Sequence, residues 1–133
     1  MACLVILMGL NGCMFWPINK KGVIGTYQFV LEDGTPGLPG GGFETLELNP
    51  DGTCIQKVVL KDGLTFSTKA TWRYDETHKT VDVRGVYIAV IGPDEINPDI
   101  GKTRNTLAVL PARRNLFGRI ILGSRMGTRY EKK

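Results

Sequence analysis

Residues 46–53, Leu-Glu-Leu-Asn-Pro-Asp-Gly-Thr, constrain this chain more than any other stretch. Leu46 and Leu48 point to one side of a strand and Glu47 to the other, and the period-two run stops at Asn49-Pro50-Asp51-Gly52. Proline presets φ for the second position of a type I turn, and Gly52 supplies the positive φ that sends the chain back as a hairpin. A chain that commits to tight hairpins of this kind builds an antiparallel sheet.

The same pattern recurs on both sides. Residues 23–31 read as a first strand with Gly25, Tyr27, Phe29 and Leu31 on one face. Residues 43–48 and 53–60 form the hairpin, and Lys61-Asp62-Gly63 is a second turn signal. In residues 64–74, Ala70, Trp72 and Tyr74 alternate with Lys69, Thr71 and Arg73. Residues 80–91 predict one long strand with a bulge at Gly85, and residues 106–112, 116–123 and 126–132 predict three more. No stretch carries helical periodicity. The expected fold is all-β, an antiparallel up-and-down meander of about eight strands closed into a barrel or folded as a sandwich. With 133 residues, one such domain over residues 23–133 is large enough to bury a core without cross-links.

Two long loops invite a phosphate reading and fail it. The glycines of residues 32–42 lead into a strand, whereas a phosphate cradle feeds a helix N-terminus. Gly101-Lys102-Thr103 lacks the glycine a P-loop places five residues earlier, where Ile96 stands. The single histidine, His78, sits in a polar turn with no second ligand at metal spacing. The carboxylates fall mostly on turns or outward strand positions, and no Ser-His-Asp set is spaced along the chain. The expectation is a protein that is not an enzyme and uses no metal or cofactor.

The formal charge of +4 is unevenly placed. Residues 102–133 hold nine basic residues against one acidic residue, while the rest of the chain is net negative. Such asymmetry marks either a surface for anionic partners or a solvated sheet face. The arginines are spaced singly along strands, which favours the solvated face and argues against nucleic acid.

Residues 2–10 are an apolar run too short to span a bilayer. They read as the apolar region of a secretory signal, or else as a buried N-terminal strand. The run ends in Leu10-Asn11-Gly12-Cys13, which resembles the lipobox of bacterial lipoproteins. That resemblance implies cleavage before Cys13, a diacylglycerol on its thiol and acylation of its new amino group. More than one acyl chain is what stable anchoring requires. The segments would then be a signal peptide over residues 1–12 and a lipidated tether over 13–22. Phe15 and Trp16 in that tether suit either a headgroup interface or one end of the core. Cys3 would leave with the signal, and Cys54 would remain unpaired within a strand.

With this leader, the series Gly25-Thr26-Tyr27, Leu46-x-Leu48-x-Pro50-Asp51-Gly52-Thr53, Ala70-Thr71-Trp72 and Tyr130-Glu131-Lys132 resembles small bacterial lipoproteins with lipocalin-like domains. Tyr27 stands where lipocalins carry a first-strand tryptophan, and Arg125 or Arg129 falls near the place of their packing arginine. The resemblance implies a barrel lipid-anchored in a bacterial cell envelope, at the outer membrane or the periplasmic face.

Two roles fit such a chain. One is a structural or interaction module meeting an envelope protein, with Arg119, Arg125 and Arg129 as a basic face. The alternative is a barrel that takes a small apolar or amphipathic ligand, with Tyr27, Phe29, Trp72 and Tyr74 as lining candidates. Those aromatics would equally fill a ligand-free core.

Overall fold

In the computed structural model, which describes residues 17–31, 33–91, 95–102, 106–123 and 129–133, the alternating segments become the walls of a closed barrel. Its strands are β1 (Gly25–Phe29), β2 (Gly42–Leu48), β3 (Thr53–Leu60), β4 (Thr65–Asp75), β5 (Thr80–Val86), β6 (Thr106–Arg114), β7 (Ile120–Gly123) and β8 (Arg129–Lys132). Each pairs antiparallel with its neighbour in sequence, and β8 returns to β1 through Tyr27↔Lys132, Gln28↔Glu131 and Phe29↔Tyr130. Closure leaves no sheet edge of the kind a sandwich would present.

The 49–52 turn has the expected form. Gly52 N–H donates to Asn49 O at 3.1 Å, and Gly52 has φ 87°. Asp51 Oδ1 accepts from the Thr53 amide and hydroxyl at 2.9 and 2.6 Å, fixing the exit into β3. Register then follows Leu48↔Cys54 and Leu46↔Gln56, so one face of each strand points inward throughout. Along β4, Thr68, Ala70 and Trp72 are buried while Lys69, Thr71 and Arg73 are exposed.

Three elements depart from the expected bounds. β5 stops at Val86, just past the register shift at Gly85, and residues 87–91 leave the sheet. Their polar backbone finds other partners: the Gln56 side chain bonds both Tyr87 N–H and Tyr87 O, and Asn97 Nδ2 donates to Ile88 O at 2.8 Å. β7 begins at Ile120 rather than 116, because Asn115 Oδ1 accepts from Phe117 N–H and Arg119 N–H and curls those residues into a turn. Residues 20–23 precede β1 as a short helix, α1 (Lys20–Val23), instead of starting the strand. Asn19 caps it, its side chain accepting from Gly22 N–H at 2.8 Å.

That helix decides which end of the barrel is closed. Val23 is fully buried, Tyr27 Oη donates to Val23 O at 2.8 Å, and Tyr74 Oη donates to Ile18 O at 2.9 Å. Lys132 Nζ, from the last strand, donates to Gly22 O at 2.8 Å. At the other end lie the β1–β2 and β5–β6 connections, whose Leu38, Ala89 and Ile100 turn inward and are buried.

Candidate functional site

The interior is divided. Toward α1 it is filled by Tyr27, Leu48, Trp72, Val81 and Leu122, all buried. Toward the long connections lies a partly open pocket of about 330 Å³, walled by β1, β2, β5, β6, β7, β8 and the start of the β5–β6 connection, with the exposed Leu107 and Val109 of β6 also along its wall. Phe29, Leu46, Val86 and Leu110 give it apolar walls. Phe29 and Tyr130 meet edge to face, with ring centroids 5.5 Å apart.

Into this space β2 brings a carboxylate. Glu44 lies on the inward face with Leu46 and Leu48 and is 1% exposed. Tyr130 Oη donates to Glu44 Oε2, and Gln56 Nε2 donates to the same oxygen at 3.0 Å. Gln56 also donates to Tyr87 O at 2.9 Å and accepts from Tyr87 N–H at 2.8 Å. Its amide is thereby satisfied, and it ties the connection to the barrel wall. Burial pushes the Glu44 carboxyl up to about 7, against the lowering effect of the bonds from Tyr130 and Gln56. The Tyr130 hydroxyl is pushed well above the usual phenol range by burial and by the Glu44 charge.

Cys54 sits near this cluster, buried and unpaired in β3. Burial, then the charges of Glu44 and Glu47, push its thiol up to about 12, so it stays protonated and is a poor nucleophile. Among the described residues, Thr68 Oγ1 is the enclosed side-chain polar atom that lacks a partner. No group of three or more His, Cys, Asp or Glu among them is arranged to hold a metal.

The aromatic candidates separate. Phe29 lines the cavity. Tyr27 and Tyr74 instead hold the α1 segment through the bonds to Val23 and Ile18, and Trp72 Nε1 donates to Asn49 O at 2.8 Å beneath Lys20. Of the basic candidates, Arg119 is ion-paired to Glu131 at 2.7 Å, and the Arg129 guanidinium donates to Leu31 O. Arg125 and Cys13 lie outside the described residues. Burial pushes the Tyr27 hydroxyl well above the usual phenol range, and the charge of Arg114 on β6 opposes that rise.

Glu44 and Tyr130 were not singled out as site residues from sequence. The signal for Glu44 was present, since the two-residue period through Leu48 and Leu46 reaches it next. Comparison of the chain with protein-family models, with curated proteins and with solved structures gives no match in any of the three.

Proposed function

We propose that this chain is a ligand-binding barrel, lipocalin-like in architecture, that takes a small amphipathic molecule into its half-hollow interior. The supporting observation is the cavity: about 330 Å³, apolar on most sides, with a polar cluster at one point of its wall. Small-molecule sites have this volume and this balance of lining. A barrel of eight strands has room to be filled by side chains alone, so a void beside a buried carboxylate is not an accident of strand number.

Binding rather than catalysis suits the groups present, because the thiol near Glu44 is held protonated and the cluster offers no activated nucleophile. The lipid anchor belongs to the same proposal. It rests on the lipobox-like Leu10-Asn11-Gly12-Cys13, and it places the barrel at a bacterial envelope membrane.

A second reading, the interaction module, draws on a different observation. Leu116 and Phe117 at the tip of the β6–β7 turn are 75% and 91% exposed, at the same end of the barrel as α1. An apolar tip beside Arg119 is suited to a protein partner or a membrane surface.

The test uses the neutral fluorophore N-phenyl-1-naphthylamine. Its emission should rise and saturate with the wild-type chain and should stay flat with Ala108→Phe, which grows a ring into the cavity from β6. Equal emission from a folded Ala108→Phe protein would remove the cavity from the account. In the native host, Cys13→Ser should shift the protein from the membrane fraction; unchanged fractionation and mass would end the anchor proposal and leave the binding proposal standing.

A further inference from the structure

We propose that the ligand is a cationic amphiphile, an ammonium group on a compact apolar body, and that its N–H bonds land on Glu44 Oε1. The inference rests on the cavity-binding reading and names the ligand class for that cavity.

Tyr130 gives its hydroxyl proton to Glu44 Oε2. Gln56 donates to the same oxygen and to Tyr87 O, and its own carbonyl takes the Tyr87 amide. Both bonds to Glu44 therefore fall on one oxygen. Oε1 has no hydrogen-bond partner among the described residues, on a side chain that is 1% exposed and lines the cavity. It is also not among the sealed polar atoms that lack a partner, of which Thr68 Oγ1 is the one among the described residues.

An ionised carboxylate is acceptor-only, so what completes it must be a donor. The surrounding walls are apolar, and in such a medium a carboxylate without a counter-charge is far costlier than one paired to a cation. No described lysine or arginine takes part in setting the Glu44 charge; burial dominates, opposed only by Tyr130 and Gln56. The described residues supply no cation for the ionised form, so one that pairs with it would come with the ligand. Its apolar body has a place against Phe29, Leu46, Val86 and Leu110.

This makes binding pH-dependent with a definite sign. The titratable groups facing Glu44 are Tyr130 from β8 and Cys54 from β3, and both remain neutral through the physiological range. Phe29 of β1, Val86 of β5 and Leu110 of β6 bring no charge. Glu44 alone changes state near neutrality. Below about 7 it carries a proton that an ammonium must displace, so affinity falls with acidification and binding there releases a proton.

The experiment compares 2-phenylethylamine with its isostere 2-phenylethanol by titration calorimetry on the full chain. At about pH 8 the amine should bind at least about tenfold more tightly, and its advantage should shrink by about tenfold or more at about pH 5.5. In the acidic range its heat should depend on the buffer, reporting proton release. Glu44→Gln should erase the amine's advantage and leave the alcohol within about twofold of wild type. Equal affinities for the two compounds in the wild-type chain, or a preference for the amine that ignores pH, overturn the cation inference and leave the cavity reading intact. If neither compound binds, the cation inference fails, and the fluorophore result then decides whether the cavity reading fails with it. Neither wild-type comparison requires any variant to fold.

Discussion

Glu44 is an expensive residue to keep, and its cost has a pH signature. Its carboxyl titrates near the ordinary 4.5 in the unfolded chain and at about 7 in the barrel, so between those values the folded state holds the extra proton. Stability is then greatest below about 4.5 as far as this group is concerned, falls as pH rises through the window, and is flat above about 7. The loss amounts to up to about 3 kcal/mol from the size of the shift. Denaturant titrations at a series of pH values should reveal this slope in the ligand-free protein and its absence in Glu44→Gln; a wild-type profile flat from acid to neutral would contradict the burial of the charge. The inward direction of Glu44 was legible in the sequence from Leu46 and Leu48. Its seclusion was not, because that depends on Gln56 and Tyr130, 12 and 86 residues away.

At the scale of elements, the hairpins were the most readable part. Asn-Pro-Asp-Gly and Lys-Asp-Gly are local instructions, and Gly52 and Gly63 both take the positive φ such turns demand. Gly42 needs its missing side chain for another reason: a Cβ there would come within 2.1 Å of Val59 O across the β2–β3 ladder. The end of β5 was unreadable by the same logic. Residues 86–91 are apolar whether they continue a strand or fold over a mouth, and the deciding contact is the capture of Tyr87 by Gln56 from β3. Likewise α1 has four residues, too few to display a period. The closed end it makes leans on Trp72, which is 5% exposed and bonded to Asn49 O. Trp72→Ala should therefore cost about 3–5 kcal/mol in equilibrium unfolding while phenylethylamine binding per folded molecule changes little. A mild effect on stability would mean that the filled half of the barrel tolerates a large void.

For the molecule as a whole, the even number of strands and the β1–β8 pairing produce one plugged end and one end with long connections. Seven of the eight pairings join neighbours in sequence, five of them across short turns and two, β1–β2 and β5–β6, across the long connections, so their closure costs less than a distant pairing. The eighth joins residues some hundred positions apart: Tyr27 to Lys132, Gln28 to Glu131, Phe29 to Tyr130. Distant pairings of this kind reward the chain only after most of its entropy has been given up, which puts them late on the folding route. Tyr130 stands on one side of that seam and Glu44 on the other, one strand beyond it. The proposed binding site, built across that seam, would then be completed late. A ligand held there recognises the native barrel and finds nothing to hold in the transition state. In stopped-flow experiments, saturating phenylethylamine should slow unfolding in proportion to its affinity and leave the refolding rate where it was. Faster refolding instead would place the seam early. On the expected outcome, the lifetime of the folded barrel becomes a property the ligand sets.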